Sequence, residues 1–88
     1  MKGVVITAAD EVSVQDFTAP LHESLGAVVG GYIEIVRLRD GRMIIVDEDG
    51  KSKDKAVNIP ATNILRRDHY TTDYIVGTAI VCDADMIE

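Results

Sequence analysis

The sequence predicts a single α+β domain with the element order β-α-β-β-α-β, in which two short helices pack on a small mixed sheet around a central β-hairpin. Three observations support this class. The chain has 88 residues, which suffice for one domain. β-branched runs near both ends are typical of strands, and the apolar period becomes helical between Thr18 and Val29.

The first half of the chain contains one predicted strand and one predicted helix. Gly3–Thr7 is a β-branched strand, and residues 8–15 are expected to form a loop. The helix over Thr18–Val29 has Thr18 as a plausible cap and Pro20 in its first turn, where the missing N–H costs nothing. Gly30 can supply the positive φ that ends it. Its apolar face is formed by Leu21, Leu25, Val28 and Val29.

Residues 30–50 predict a hairpin with a two-residue type I′ turn at Asp40-Gly41. In that register Val36 lies opposite Ile45, and Glu34 lies opposite Asp47. Such a hairpin is apolar on both faces and needs two covers. The first helix can be one, and the second helix or a neighbouring subunit the other. We therefore expect an oligomer, most simply a dimer.

The second half of the chain adds a helix and a strand. Asn58 is a good cap for a helix over Pro60–Arg66. Tyr74–Cys82 is a strongly β-branched, buried-looking strand in which Gly77 indicates a bulge or a close backbone approach. Residues 1–88 thus form one domain, with a tail over 83–88 that is expected to fray.

The charge balance restricts the classes of partner. The formal net charge is −6, which argues against non-specific nucleic-acid binding and against docking on an anionic membrane. An acidic surface favours a partner with a basic patch. The chain has one cysteine and neither a membrane span nor a secretory signal, so we expect a cytoplasmic protein.

Four blocks resemble a family of small proteins. They are GGYIEIVRL at 30–38, VDEDGK at 46–51, NIPAT at 58–62 and IVGTAIV at 75–81. In order and spacing they are similar to the family catalogued as domain of unknown function 3846, whose members are carried by phages, plasmids and conjugative elements. The resemblance implies an accessory gene of a mobile element, and it carries over no functional residue.

Two groups of side chains are candidate sites. Two guanidiniums, one imidazole and two aromatic rings could hold a phosphorylated, base-bearing ligand, although cations are also ordinary at a helix end. These residues are Arg66, Arg67, His69, Tyr70 and Tyr74. Carboxylates of Glu34, Asp47 and Asp49 could bind a divalent cation, with solvated acids before a turn as the alternative.

No catalytic set of nucleophile, base and orienting group is recognisable, so we expect a non-enzymatic protein without a cofactor. The favoured function is binding to a host protein with a basic surface, such as a defence-system component. The alternative is an oligomer that sequesters a nucleotide at subunit interfaces around Arg66, Arg67 and Tyr70. A metal-assisted enzyme that uses the acidic cluster is a minor third possibility.

Overall fold

The structure is a computed structural model that describes residues 1–86, and it consists of a five-stranded antiparallel sheet with a helix on each face. The predicted α+β class is confirmed. The strand order is β2-β1-β5-β4-β3. The elements are β1 (Lys2–Ile6), β2 (Val12–Asp16), α1 (Leu21–Val29), β3 (Ile33–Arg37), β4 (Arg42–Asp47), α2 (Ile59–His69) and β5 (Ala79–Asp83), followed by a 3₁₀ turn over Ala84–Met86.

Helix α1 covers one face of the sheet. Its buried Leu25 and Val29 pack against the strands, and Phe17 closes the side of this core. Cys82 lies among these side chains, and burial raises the pKa of its thiol. The buried members of this cluster are Val5, Phe17, Leu25, Val29, Met43, Ile45, Ile80 and Cys82.

Helix α2 covers the opposite face through Ala61 and Leu65. Both faces of the β3–β4 hairpin are therefore covered by helices of the same chain. The hairpin needs no neighbouring subunit as its second cover, which removes the argument on which the predicted oligomer was based. The buried members of this second cluster are Ile6, Leu38, Ile44, Val46, Ala61, Leu65, Ile75, Ala79 and Val81.

The predicted hairpin turn is wrong by one residue. Leu38 N–H donates to the carbonyl of Arg42 at 2.9 Å, so the loop has three residues, 39–41. Gly41 alone in this loop has a positive φ, of 88°. This matches a type I turn followed by a left-handed residue, the usual three-residue hairpin loop.

The longer loop changes the register and therefore the faces of β4. Val36 lies opposite Ile44, not Ile45, and Glu34 lies opposite Val46, not Asp47. Because side chains alternate between faces, a slip of one residue moves every β4 side chain to the other face. Ile44 and Val46 consequently pack under α2, together with Val36.

The sheet is antiparallel throughout, where a mixed sheet was predicted, and the hairpin lies at one edge instead of the centre. The path of residues 70–78, between α2 and β5, explains why β4 and β5 pair antiparallel. It runs back beside the segment before α2, with an isolated bridge between Val57 and Val76. The chain therefore re-enters the sheet at the end where β4 left it, and Ile80 pairs with Ile45.

Several element boundaries also differ from the prediction. Residues 12–16 form strand β2 instead of a loop, and the last strand begins at Ala79. Pro20, not Thr18, is the N-cap of α1, and no side chain accepts a hydrogen bond there. Of the tail expected to fray, residues 83–86 are ordered in β5 and the 3₁₀ turn, and residues 87 and 88 lie outside the described residues.

The end of α1 and the start of α2 match the sequence prediction. Gly30 ends α1 in the left-handed conformation, with φ of 91°. Asn58 caps α2 by accepting a hydrogen bond from the N–H of Ala61. Within residues 1–86, neither helix has the length and apolar character needed to cross a membrane.

Candidate functional site

The carboxylate of Asp47 is buried at the end of β4 and holds two lysine ammonium groups. Its Oδ2 accepts hydrogen bonds from Lys53 Nζ at 2.7 Å and from Lys55 Nζ at 2.8 Å. The same lysines donate to the carbonyls of Gly30 and Val29 at the end of α1. The hydrogen bonds from Lys53 and then Lys55 hold the pKa of Asp47 well below its usual range.

This arrangement uses Asp47 for structure and leaves little capacity for a metal. Its Oδ1 accepts the backbone N–H of Asp49 at 2.9 Å, so both oxygens of Asp47 already have partners. Across residues 1–86, no three His, Cys, Asp or Glu side chains are grouped so that they could hold a metal ion. The predicted set of Glu34, Asp47 and Asp49 therefore gains no support from the geometry.

A small cleft of about 170 Å³ opens on the α2 face beside β3 and β4. Its walls are apolar and its rim is acidic, with exposed carboxylates of Glu34, Glu48 and Asp73. We call it the acidic cleft. Its lining residues are Glu34, Val36, Val46, Asp47, Glu48, Lys51, Leu65, Asp73, Tyr74, Ile75 and Val76.

The acidic cleft contains the chain's own ammonium group. Lys51 Nζ pairs with the Asp73 carboxylate and lies 4.3 Å from the centroid of the Tyr74 ring. Carboxylates and the face of an aromatic ring are the groups that recognise a cation. The hydrogen bond to Asp73 raises the pKa of Lys51, and the nearby Glu34 charge adds to that effect. The same bond lowers the pKa of Asp73.

Of the five residues predicted to hold a phosphorylated ligand, Tyr74 alone lines the acidic cleft. Arg66 points toward the segment after α2, where its Nε donates to the carbonyl of Asp73 at 3.0 Å and its Nη2 to the carbonyl of Thr72 at 3.0 Å. These bonds join the end of α2 to the following loop. A structural role at the helix end was the alternative that the sequence offered for Arg66, but its bonds to the loop carbonyls were not predicted.

The other three residues of the predicted set lie elsewhere on the surface. Arg67 borders a shallow hollow near the hairpin turn. The Nε2 of His69 is 3.0 Å from the carbonyl oxygen of Arg37 and 3.1 Å from Asp68 Oδ2. Tyr70 caps α2 in the left-handed conformation and is 89% exposed. The fold does not gather the five side chains into one pocket.

Sequence reasoning missed two charged residues of the acidic cleft, Lys51 and Asp73. Lys51 and Asp73 are far apart in the chain, and each lies in a polar stretch that predicts a loop. They meet because the segment after α2 runs back beside the segment before α2, which contains Lys51. One signal in the sequence could have indicated a cation site. Asp73 and Tyr74, a carboxylate and an aromatic ring, are adjacent at the start of an apolar run.

Comparison with known families identifies a match over the whole chain. Residues 1–88 match the model of the family described as Domain of unknown function (DUF3846). The corresponding comparisons with curated proteins and with solved structures found no match.

Proposed function

The chain belongs to the DUF3846 family, and we propose that it is a non-enzymatic protein that acts by binding a basic segment of another protein at the acidic cleft. The observation that carries this proposal is the position of Lys51. Its ammonium is paired with Asp73 and lies over the Tyr74 ring, inside an acidic rim. A lysine or arginine of a partner would make the same contacts after Lys51 swings away.

The energetics allow this exchange. The side chains of Lys51 and Asp73 are 50% and 58% exposed, and an ion pair so accessible to water contributes only about 0–1 kcal/mol. Displacing Lys51 therefore costs little. The apolar walls, which include Val36 and Leu65, can receive the methylene groups of the incoming side chain. The net charge of −6 attracts a basic partner over a longer range.

The proposed setting is the cytoplasm of a host cell, where the protein would serve a phage or another mobile element by binding a host protein with a basic surface, such as a defence-system component. Support for the setting comes from the resemblance of the sequence to proteins of mobile elements. The single, buried Cys82 suits a reducing compartment.

A nucleotide is a less suitable occupant of the acidic cleft. Its phosphates would face the carboxylates of Glu34, Glu48 and Asp73, which repel anions. Arg66 uses two of its nitrogen atoms on backbone carbonyls. A thermal-shift panel of mono-, di- and cyclic nucleotides tests this alternative, because a ligand at 100 times its dissociation constant stabilises a protein by about 2.7 kcal/mol.

The direct test measures the affinity of the protein for an acetylated tetralysine peptide by calorimetry at low salt. Asp73→Asn should weaken binding because it removes the carboxylate that holds the ammonium, and Lys51→Ala should strengthen it because the competing ammonium is gone. Asp10→Asn is the matched control. It removes the same charge at an exposed turn outside the acidic cleft, where φ is 65° and Asn is well tolerated.

Equal losses of peptide affinity in Asp73→Asn and Asp10→Asn would mean that the affinity depends only on the net charge of the protein. That result would contradict binding at the acidic cleft. The same variants extend the test to the natural partner. A host protein captured from lysate by the wild type and by Lys51→Ala, but not by Asp73→Asn, is expected to carry a basic surface. A captured protein whose binding is unchanged by all three substitutions would contradict the proposed site.

A further inference from the structure

The free edge of strand β2 combines exposed apolar side chains with unpaired backbone groups. All five residues of Val12–Asp16 are exposed, and among residues 1–86 β2 pairs with β1 alone. Val12 and Val14 are 64% and 68% exposed on the α2 face, beyond the area that α2 covers. This edge has no proline and no charge between Glu11 and Asp16, so it lacks the usual protection against pairing with another chain.

The hydrogen bonds to β1 show which backbone groups of β2 point outward. Met1 and Phe17 exchange two bonds, and Thr7 N–H donates to the carbonyl of Glu11. Hydrogen bonds in an antiparallel pair alternate along each strand, so the odd-numbered residues of β2 face β1. The N–H and C=O groups of Val12, Val14 and Asp16 therefore point away from the sheet.

We infer that this edge binds a second copy of the chain, so that two β2 strands pair antiparallel across a two-fold axis at Val14. A two-fold axis perpendicular to a continuous sheet brings the same face of both copies together. In this register Val14 lies opposite its own counterpart, Val12 lies opposite Asp16, and Ser13 lies opposite Gln15. All the outward-pointing backbone groups of β2 find partners.

Backbone pairing selects this register over its neighbours. With the axis at Ser13, Asp16 would lie opposite residue 10 in the turn before β2, and with the axis at Gln15, Val12 would lie opposite residue 18 beyond the end of β2. Either shift leaves outward-pointing groups of β2 without a strand partner. With the axis at Val14, the acids Glu11 and Asp16 do not oppose each other. Gln15 Nε2 can donate to Ser13 Oγ of the other copy across the axis, as it does within one strand at 3.2 Å.

The paired edges would also cover apolar surface. Val14 from each copy would meet at the axis, with Val12 on either side, and Val4 lies next to Val14 on β1. The acidic cleft is near β3 at the other edge of the sheet, so pairing through β2 leaves it open. A dimer would therefore present two clefts, and this inference stands or falls independently of the proposed function.

Sedimentation equilibrium of the full chain tests the pairing. The wild type should show a dimer of the 9.6 kDa chain at micromolar concentration. Val14→Lys should raise the dimer dissociation constant at least about tenfold, since each copy places its charge at the axis. Ala27→Lys is the control and should stay dimeric, because it adds the same charge at an exposed position of α1, the helix that contacts β3 and β4 near the other edge of the sheet. A wild-type chain that is monomeric at high micromolar concentration would overturn the inference.

Cysteine cross-linking tests the register without depending on the fold of Val14→Lys. Opposite residues in a hydrogen-bonded antiparallel pair have Cα atoms about 5.5 Å apart, within disulfide range. Under mild oxidation, Val14→Cys should form a cross-linked dimer. Ser13→Cys should not, because its counterpart lies two residues further along, at roughly 8 Å. Cross-linking of Ser13→Cys in preference to Val14→Cys, or of neither variant, would refute the proposed register.

Discussion

The two helices are held to the sheet by different polar groups, and the difference concerns charge. The Asn58 anchor, which consists of the side chain of Asn58 and its backbone partners, joins α2 to β1 and to the segment before β5. The Asp47 anchor, which consists of Asp47, Lys53 and Lys55, joins the end of α1 to β4. One is neutral and fully buried; the other is ionic and reaches solvent through its lysines.

In the Asn58 anchor, the side-chain oxygen and both side-chain N–H groups of Asn58 have hydrogen-bond partners. Asn58 is 0% exposed, accepts from Ala61 N–H, and donates to the carbonyls of Ile6 at 2.9 Å and Gly77 at 2.8 Å. The bonds to Ile6 and from Ala61 are buried, and the bond to Gly77 is partly buried. In the Asp47 anchor, the lysine side chains are 42% and 24% exposed, so water can partly substitute for a lost partner. We therefore expect mutation of the buried, neutral Asn58 anchor to reduce the free energy of unfolding the most. We expect the contribution of the ionic Asp47 anchor to that free energy to depend on pH.

The largest effect is expected from Asn58→Ala. The substitution removes the acceptor of the buried Ala61 N–H and one donor to each of the two carbonyls, and a buried group left unsatisfied costs about 1–3 kcal/mol. We expect a loss of about 3–5 kcal/mol in the free energy of unfolding by urea at pH 7.

Asn58→Asp sharpens this test, because it keeps the cap acceptor and removes both donors. Burial beside two carbonyls should raise the folded-state pKa of the new carboxyl above its unfolded value, so the variant should be most stable in acid and lose stability as pH rises. Retention of wild-type stability by Asn58→Ala would show that the anchor is not needed to hold α2.

A smaller effect with a different pH dependence is expected from Asp47→Asn. At pH 7 it should cost about 2 kcal/mol, because two hydrogen bonds from charged groups are weakened. The folded-state pKa of Asp47 is lowered below the ordinary 3.8. Its contribution is therefore complete above the unfolded pKa and is lost as pH falls toward the folded value. Urea unfolding should show a large difference between wild type and variant at pH 7 that narrows below about pH 4; a constant difference would argue against the ionic anchor.

Gly41→Val provides a reference from a turn that belongs to neither anchor. Gly41 has φ of +88°, which a β-branched residue disfavours, although no atom lies near its missing Cβ. The expected cost is about 1–2 kcal/mol, from backbone strain alone. Gly41→Asn, which tolerates this conformation, should cost less in the same thermal unfolding experiment. If both variants unfold like the wild type, the three-residue loop is not as described.

The smallest effect is expected at the far end of α2, where Arg66 bonds to two carbonyls near the surface. Arg66→Ala should cost about 1 kcal/mol, since such exposed bonds contribute little net stability. Arg67→Ala is its neighbour and control and should stay within about 0.5 kcal/mol of wild type. Equal losses of stability in the two variants would contradict a structural role for Arg66. Loss of peptide binding in either variant would indicate that the peptide binds near the end of α2 and not at the acidic cleft.

Local sequence signals located most elements but not their partners. Asn58 was predicted as a helix cap from its position before Ile59-Pro60, and it is one. Its two donor bonds to Ile6 and Gly77 could not be predicted, because they join segments distant in the chain. The turn at Asp40-Gly41 was recognised, yet its length was wrong by one residue, since both loop lengths suit the same dipeptide. That error reversed the faces of β4.

The candidate site shows the same limit. Tyr74 was singled out with four residues of α2 and its cap, as if nearness in the chain implied nearness in space. The fold instead places it beside Lys51 and Asp73, and it uses Asp47 to hold two lysines where a metal was considered. Strand β2 was missed although Val12 and Val14 alternate with polar residues, because the acids and small residues of 8–15 were interpreted as a loop.

The sequence by itself determined the α+β class, the two helices, the hairpin and the acidic charge, because apolar period, capping residues and glycine turns act over a few residues. Tertiary structure decided the antiparallel strand order, the faces of β4, the Asp47 anchor and the acidic cleft. Each of these depends on which distant segments meet, and that is settled by packing two helices on opposite faces of one sheet. Short-range patterns carry no information about that choice.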